Sequence, residues 1–265
     1  MDSVSTLFSG SSGNSCYIGG CDDGILIDAG RNFKAISEGL KSLDFPVRGI
    51  RAVFVTHAHN DHISALKVLT KKLPDIPIFA SAQTIDNLLF EGIVGPEAML
   101  CPIDEQGIGV GRFFVTPFET PHDCPGSCGY VIETESGGRI GVCTDLGHRS
   151  DTIVEALSGC KTVVIESNHD ENILRAGNYP YWLKMRILGA EGHLSNRDCA
   201  SLSAILLHSG TRNFVLAHLS RENNLPDVAF DTVNRKLCEC GAEADGEFGL
   251  HVAPAMAAAK HYSVL

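Results

Sequence analysis

The sequence predicts an α/β fold in which short strands alternate with amphipathic helices. Runs rich in β-branched and aromatic residues lie beside Gly, Asp or Asn turns, as is typical of strands. The predicted strands span residues 3–8, 15–18, 24–27, 51–55, 77–80, 113–118, 129–134, 139–143, 162–165, 213–216 and 250–252. Apolar residues at helical spacing, several preceded by a capping residue, predict helices at 33–43, 62–72, 82–90, 151–157, 181–188, 197–207 and 227–238. The repeated order of strand and then helix favours a layered α/β architecture.

The composition supports a globular chain with a sizeable core. Of its 265 residues, 44% are hydrophobic and 20% are charged, which excludes disordered and fibrous classes. No low-complexity linker separates the two halves of the chain. We therefore expect one domain over residues 1–265.

The N-terminal sequence and the cysteines predict a cytoplasmic protein. The first residues lack a basic segment leading into an apolar one, and no apolar run reaches the length of a membrane span. The ten cysteines are scattered and form no CxxC pair, so we expect reduced, mostly buried thiols and no cysteine-ligated metal. The net charge of −11 argues against broad, non-specific attraction to nucleic acid.

Four potential metal ligands are packed into six residues, where a predicted strand ends and a helix begins. His57 and His59 alternate at the strand end and can converge on one cation, whereas Asp61 and His62 can turn toward a second one. Imidazole and carboxylate ligands together favour Zn or Mn, with Fe or Ni as alternatives, over Mg or Ca. The alternative interpretation is a helix-capping Asp with solvent-exposed histidines.

This HxHxDH motif resembles the hallmark of the metallo-β-lactamase superfamily. Further residues in matching order follow other apolar strands, namely His122, Asp145 and His218. The resemblance implies a four-layer αββα sandwich with a dinuclear metal site at one edge of its two sheets. It also implies two divalent ions, the first held by His57, His59 and His122, the second by Asp61, His62 and His218, with Asp145 bridging them. Taken alone, His122 or His218 is more typical of an ordinary core or surface histidine.

The sequence is further similar to the bacterial YycJ/WalJ-type proteins over residues 7–254. The blocks that carry this similarity are SGSSGN at 9–14, LIDAG at 26–30, ESNHD at 166–170, GHLSN at 192–196 and AHLSRENNLP at 217–226. The similarity implies a phosphodiesterase that hydrolyses nucleic acid, with DNA favoured over RNA, as a 5′ to 3′ exonuclease. In that mechanism a metal-bridging hydroxide, oriented by Asp61, attacks phosphorus. Residues 255–265 resemble a C-terminal extension without an assigned role.

His193 is the second catalytic candidate. The segment Gly192-His193-Leu194-Ser195 resembles one in the β-CASP nucleases, in which the His contacts the scissile phosphate. By that resemblance, His193 steadies the phosphate or protonates the leaving oxygen. The alternative is a histidine at a helix start, with Ser195 as the cap.

Several other polar residues are candidates for substrate binding. Ser11 and Asn14 belong to a Gly/Ser string that forms either an anion-binding nest or an ordinary turn. Asn168 and His169 follow a predicted strand and either bind substrate or cap the next helix, and Ser195 lies beside His193. Asp28 is expected to support the HxHxDH loop by hydrogen bonds. A basic track of Arg175, Lys184 and Arg186 is the alternative to an ordinary solvated surface.

Two other functions remain open. A lactonase, thioesterase or β-lactamase acting on a small acyl compound could use the same metal ligands, because one fold hosts many chemistries. A binding module could retain the metals without turnover. His193 and the ESNHD block favour the phosphodiesterase, since an acyl hydrolase needs no phosphate contact there. The sequence leaves the oligomeric state unknown.

Overall fold

The computed structural model describes residues 2–240 and 248–264. Their strands form two mixed sheets of seven strands each. The first sheet has the order β14-β1-β2-β3-β4-β5-β6. Its strands are β1 (Asp2–Phe8), β2 (Ser15–Gly19), β3 (Gly24–Ile27), β4 (Ile50–Phe54), β5 (Ile78–Ala80), β6 (Leu100–Pro102) and β14 (Ala259–Val264). The strands from β3 to β6 run parallel, and the remaining neighbours pair antiparallel.

The second sheet has the order β13-β12-β11-β10-β9-β8-β7. Its strands are β7 (Ile108–Val110), β8 (Phe113–Glu119), β9 (Cys128–Thr134), β10 (Arg139–Cys143), β11 (Thr162–Glu166), β12 (Asn213–Ala217) and β13 (Gly249–Val252). The strands from β10 to β13 run parallel, so their carboxyl ends meet at the same edge. The others pair antiparallel.

Helices connect the strands of both sheets. In the described part of the chain they are α1 (Phe33–Ser42), α2 (Asn60–Ile63), α3 (Leu66–Lys72), α4 (Ala82–Phe90), α5 (Asp151–Leu157), α6 (Glu171–Ala176), α7 (Tyr181–Ile187), α8 (Asn196–His208) and α9 (Pro226–Glu239), with a short 3₁₀ turn at Val47–Gly49. None of these helices is long and apolar enough to cross a membrane.

Three apolar clusters define the layers. In β4, Phe54 joins the cluster between the sheets, whereas Val53 joins the one that contains residues of α1 and α3. In β12, Val215 faces the inter-sheet cluster and Phe214 the one built with α5, α8 and α9. Successive strand residues point to opposite faces of the sheet. Both faces of these strands are therefore buried, and their sequences are continuous apolar runs. The result is the four-layer αββα sandwich, which confirms the predicted fold class.

The sequence missed short or polar elements. No strand was predicted at β6, β7 or β14, and no helix was predicted at α6. Strands β6 and β7 are only partly buried and three residues long, which is too short for a period-two pattern to be recognised. The residues 255–264 of the expected extension include β14, which pairs with β1 at the edge of the first sheet, while residue 265 lies outside the described residues. Their status as an extension, and the single domain, stay predictions.

The helix expected at 62–72 is interrupted at Ser64 and Ala65. The backbone N–H of Ala65 donates to the carbonyl of Ala29, 2.8 Å away, in the loop after β3. A helix that ran unbroken from α2 to α3 would need that N–H for its own ladder. This tertiary bond divides the predicted helix and holds the HxHxDH segment against the end of β3.

Candidate metal centre and active site

The carboxyl ends of the parallel strands bring the candidate site together at one edge of the sandwich. Asp28 follows β3, the HxHxDH segment follows β4, and Glu166 ends β11. Asp145 and His218 follow β10 and β12. The ends of parallel strands are the usual position of functional groups in α/β proteins, because connecting loops leave the sheet there.

Three of these positions have a backbone conformation that is uncommon for residues other than glycine. The φ angles are 61° at Asp28, 59° at Asp145 and 55° at His218. Residues other than glycine rarely adopt this left-handed conformation, which costs about 1 kcal/mol or more. The chain turns sharply directly after each strand, and the packing around it sustains the strain at the site.

Three histidines form the first group that could hold a metal ion. One ring nitrogen from each of His57, His59 and His122 lies within 4.8 Å of the others. The Nδ1 atom of His59 is 3.1 Å from Nε2 of His57 and 3.3 Å from Nε2 of His122. The structure therefore brings together the three residues that the family resemblance assigned to the first metal.

Asp61, His62 and His218 form a second group with the same mutual spacing. Nε2 of His62 and Nε2 of His218 lie 3.5 Å and 3.6 Å from Oδ2 of Asp61. Asp145 is shared between groups, since it clusters with His57 and His62 and also with His218. This position between the two sets is the one that a bridging carboxylate requires.

Two buried atoms in this cluster lack a partner, and they test whether the residues fit metal ions. Oδ2 of Asp145 and Nε2 of His218 are inaccessible to solvent and make no hydrogen bond of good geometry, although Nε2 of His62 lies 3.2 Å from that Oδ2 and Oδ2 of Asp61 lies 3.6 Å from that Nε2. An unpaired buried polar atom costs roughly 1–3 kcal/mol, which a coordinated cation would remove. Together with the imidazole and carboxylate donor set, these atoms fit divalent metal ions of the Zn, Mn, Fe or Ni type.

The ionisable groups of the site perturb one another strongly. Burial lowers the pKa of His57 well below its ordinary value. For His62, burial alone would lower the pKa, but the carboxylates of Asp145 and Asp28 raise it well above the usual range. Conversely, burial would raise the pKa of Asp145, but His218 and His62 lower it well below its usual range. The charges of the imidazoles and carboxylates thus offset one another here, and a metal ion would bind the deprotonated imidazole.

Asp28 supports the HxHxDH segment, as the sequence predicted. Its Oδ2 lies 2.7 Å from Nδ1 of His62, and its Oδ1 accepts a hydrogen bond of 2.8 Å from the backbone N–H of Thr56. With Nδ1 occupied in this way, Nε2 of His62 points to Asp145, 3.2 Å from its Oδ2. A carboxylate on the far ring nitrogen is a common support for metal-binding histidines.

The loop after β1 closes on the same segment. The Asn14 amide nitrogen lies 3.1 Å from Oδ2 of Asp61, to which it donates, and 3.0 Å from Nε2 of His62. The backbone N–H of Asn14 donates to the carbonyl of Asp61. Gly30 packs so closely here that a Cβ atom would collide with that carbonyl. Asn14 therefore positions candidate ligands in this structure.

The sequence placed Glu166 at the site edge, either as a substrate contact or as a helix cap, and the structure gives it neither of these contacts. It is fully buried, and its Oε1 accepts hydrogen bonds of 2.8 Å from Nδ1 of both His193 and His218. Its Oε2 accepts the backbone N–H groups of Leu146 and Leu194. Burial would raise the pKa of Glu166, but His193 and His218 lower it to about 2. The available signal was an acidic residue that ends an otherwise apolar strand.

A cavity of about 360 Å³ opens over the cluster. Its lining includes five of the candidate catalytic and metal-binding residues, which are His59, Asp61, Asp145, His193 and His218. Tyr179 and the α7 residues Leu183, Arg186 and Ile187 also line it. On the remaining wall lie Ser11, Asn60, Asn168 and Ser220. The cavity is thus polar at the cluster and partly apolar along α7.

The candidate substrate-binding residues divide into two sets. Ser11 and Asn168 line the cavity, whereas Asn14, His169 and Ser195 are not among its lining residues. Ser195 caps α8, since its hydroxyl accepts the backbone N–H of Asp198. His169 is buried, and neither of its ring nitrogens has a hydrogen-bond partner. Substrate contact by these residues stays a prediction.

The two sheets, the strand-end turns and the clustered imidazoles and carboxylates define the class of a metal-dependent hydrolase. The model of the β-lactamase superfamily domain matches residues 24–219. The chain belongs to the metallo-β-lactamase superfamily and is a hydrolase of the YycJ type.

Relatives of known activity match almost the whole chain. It is 33% identical over 254 residues to the exodeoxyribonuclease YycJ of Bacillus anthracis, and the alignment covers 93% of each chain. It is 32% identical over 252 residues to the exodeoxyribonuclease WalJ of Streptococcus pneumoniae, and this alignment covers 93% of this chain and 92% of the relative. The metallo-β-lactamase fold protein YhfI of Bacillus subtilis aligns with a TM-score of 0.70 at 15% identity, over 98% of this chain and all of that one. The structural match supports the fold alone.

Proposed function

We propose that this protein is a dinuclear, metal-dependent phosphodiesterase that hydrolyses DNA as a 5′ to 3′ exonuclease in the cytoplasm. The observation that carries the proposal is the hydrogen bond from His193 to the buried Glu166, at the wall of a cavity whose floor holds the metal-ligand candidates. The two relatives at 33% and 32% identity, both named exodeoxyribonucleases, support the choice of DNA.

The metal ions that we propose are two Zn or two Mn ions, with Fe or Ni as alternatives. His57, His59 and His122 would hold the first and Asp61, His62 and His218 the second, with Asp145 shared. When bound, such ions lower the pKa of water and neutralise charge that develops on a phosphoryl group. The chain supplies the geometry in which this chemistry takes place.

His193 is the residue that we assign to the phosphate. Its Nδ1 is engaged by Glu166, which leaves Nε2 to reach the substrate from the cavity wall. Burial alone would lower the pKa of His193, but the charge of Glu166 and its hydrogen bond raise it. A protonated imidazole near neutral pH can donate to a phosphate oxygen or protonate the leaving oxygen.

Asp61 is the residue that we assign to orienting the attacking water. Burial would raise the pKa of Asp61, but the neighbouring imidazoles of His62 and His218 lower it far below its usual range. The site therefore favours the ionised carboxylate, which can accept a hydrogen bond from the attacking water. Asn14 restricts its orientation by donating to Oδ2.

The proposal is tested with purified, metal-reconstituted protein. The substrates are DNA and RNA, single- and double-stranded, labelled at the 5′ or the 3′ end, alongside nitrocefin and a lactone. We expect release of labelled nucleotide first from 5′-labelled DNA and a loss of at least about 100-fold in Asp61→Ala and His193→Ala. The matched controls, Asp86→Ala and His208→Ala, alter exposed residues outside the cavity and should retain activity.

The result also decides between the proposed function and its alternatives. Hydrolysis of nitrocefin or the lactone without nuclease activity would replace the phosphodiesterase by an acyl hydrolase. Metal binding without turnover of any substrate would favour a non-catalytic metal-binding module. Degradation from the 3′ end would contradict the polarity and leave the reaction class intact.

A further inference from the structure

Helix α7 presents large apolar side chains to solvent directly beside the cavity. Tyr181 is 78% exposed, Trp182 is 66% exposed and Met185 is 48% exposed. Such side chains are usually at least half buried, and an exposed group of them on one element marks an interaction surface. The group lies on a helix whose other face already lines the candidate active site.

The helical spacing relates this group to the cavity. Leu183, Arg186 and Ile187 line the cavity, and Trp182 lies one turn before Arg186. Residues four apart on a helix are neighbours on its surface. Trp182 therefore borders the cavity at Arg186, and Tyr181 and Met185 continue the exposed surface away from it.

Hydrogen bonds fasten the helix to the site and to α6. Nε of Arg186 donates to Oδ2 of Asp123, 2.5 Å away, and Asp123 follows His122 in the chain. The backbone N–H of His193 donates to the carbonyl of Ile187, 3.0 Å away. Nζ of Lys184 donates to the carbonyls of Arg175 and Gly177, each at 2.7 Å. A side chain on α7 is thus held in a fixed relation to His193.

Positive charge lies near the cavity, although the whole chain is acidic. Lys184 and Arg186 belong to α7. Arg31 and Arg221 both donate to the hydroxyl of Ser12, the neighbour of the cavity residue Ser11. Arg186 is paired with Asp123, whereas Lys184, Arg31 and Arg221 add positive charge near the cavity to a chain of net charge −11, and such charge favours an anionic polymer.

We propose that Trp182, with Tyr181 beside it, is a stacking surface for the bases of a single strand of nucleic acid whose scissile phosphate lies in the cavity. The proposal rests on the proposed phosphodiesterase function and assigns its substrate as a polymer that must be single-stranded near the site. Flat aromatic rings next to basic groups are the combination that binds single strands without sequence preference, since every base has a face to stack. A surface that binds a protein partner would need neither the adjoining cavity nor the basic side chains near it.

The chain offers a direct probe, because Trp182 is its one tryptophan. Metal-reconstituted protein is titrated with a phosphorothioate oligothymidylate, which resists cleavage, and with the corresponding duplex. We expect the tryptophan emission to fall on addition of the single strand, with the same Kd as the anisotropy of a labelled oligonucleotide. The duplex should quench it much less, because its bases are already stacked on one another.

Variants separate stacking from a structural effect. Trp182→Ala should raise the Kd and the KM for single-stranded DNA about tenfold, as one lost base–aromatic contact does. Trp182→Phe should stay within about threefold of the wild type, since an aromatic ring remains. Phe90→Ala is the matched control, because Phe90 is an 87% exposed aromatic residue on α4, away from the cavity lining. The loss in Trp182→Ala should be larger on single-stranded DNA than on thymidine 5′-p-nitrophenyl phosphate, because the small substrate has no neighbouring nucleotides to stack.

Three outcomes would overturn the inference, and they differ from failure of the proposed function. Nuclease activity with unchanged emission and unchanged KM in Trp182→Ala means that no base stacks on this helix. Equal loss on DNA and on the small phosphodiester means that Trp182 supports the site structurally. A dimer in light scattering that becomes a monomer in Trp182→Ala means that a second copy of the chain covers the surface. A wild type without nuclease activity overturns the proposed function itself.

Discussion

At the scale of single residues, one buried carboxylate joins the two halves of the proposed chemistry. Oε1 of Glu166 accepts from His193, the phosphate candidate, and from His218, a metal-ligand candidate. Backbone N–H groups on its other oxygen hold the carboxylate in place. A change at Glu166 should therefore affect both metal affinity and the ionisation of His193.

Glu166→Gln should lower nuclease activity about 10- to 100-fold, the usual effect of losing a group that orients metal-binding histidines. Glu166 raises the pKa of His193, so without its charge that pKa falls and the protonated imidazole is lost at lower pH. The alkaline limb of the pH–rate profile should move to lower pH, which a merely structural defect would not do. Glu38→Gln, on the exposed side of α1, is the control. An unmoved limb would contradict this role.

Asp145 and His122 should differ in how many metal ions their loss releases. Asp145 clusters with residues of both groups, whereas His122 clusters with one of them. We expect Asp145→Asn to reduce bound metal from about two equivalents to below one, and His122→Ala to about one. Elemental analysis after reconstitution and dialysis measures this. Equal metal content in the two variants would exclude the shared position of Asp145.

The sequence could predict the candidate ligands because they follow apolar strands at the spacing of a recognisable motif. It could not predict the contacts of Glu166, since its two histidine partners lie 27 and 52 residues further along the chain. Nor could it separate Ser11, which lines the cavity, from Ser195, which caps α8. Both are serines beside a motif, and only the course of the backbone distinguishes them.

At the scale of elements, close contacts between loops fix the site more than the helices do. Apart from β6, β7, β14 and α6, which were not predicted, the strands and most helices were predicted within one or two residues, because their apolar periodicity is local. The interruption between α2 and α3 was not predicted, because the hydrogen bond from Ala65 to Ala29 joins two segments that come together only in the folded chain. Gly30, in the same contact, shows how little space separates these loops.

Gly30→Ala should destabilise the protein by about 2–4 kcal/mol, since the added methyl group would collide with the carbonyl of Asp61 and force the two loops apart. It should also weaken metal binding, because Asp61 moves with the loop. Denaturant unfolding and metal content measure the two effects. Gly109→Ala in β7 is the matched control, because a Cβ there meets nothing within 4 Å. Equal stability of the two variants would show that the loops can yield.

At the scale of the whole molecule, the thiols are distributed through the layers. Cys16 and Cys128 lie in the inter-sheet cluster, and Cys160 and Cys199 lie in the cluster under α5, α8 and α9. All ten cysteines are unpaired, and Cys21 is exposed. Burial raises the pKa of Cys16, Cys128, Cys160 and Cys199 to about 12. The fold therefore favours their neutral form.

This predicts a loss of stability at alkaline pH. Each of these thiols has a higher pKa in the folded chain than in the unfolded chain, where the value is 9.0. The stabilisation that this difference gives is complete below pH 9.0 and is lost as the pH rises toward about 12. Each thiol should cost up to about 1.4 kcal/mol per pH unit in that window. Denaturant unfolding at pH 8, 9 and 10 measures the slope. The double variant Cys160→Ala/Cys199→Ala should show a shallower slope and Cys21→Ala an unchanged one, and identical slopes would contradict the prediction.

The hydroxyl of Ser9 accepts the backbone N–H of His218, across 209 positions of the sequence. During synthesis on the ribosome, the loop after β1 emerges long before the strand that delivers this last ligand candidate. Contacts of such separation form late in folding, because a long loop must first be closed. A nascent chain that carries the whole HxHxDH motif therefore has no finished catalytic centre. The hydrolase becomes competent only once β12 has left the exit tunnel and joined its sheet.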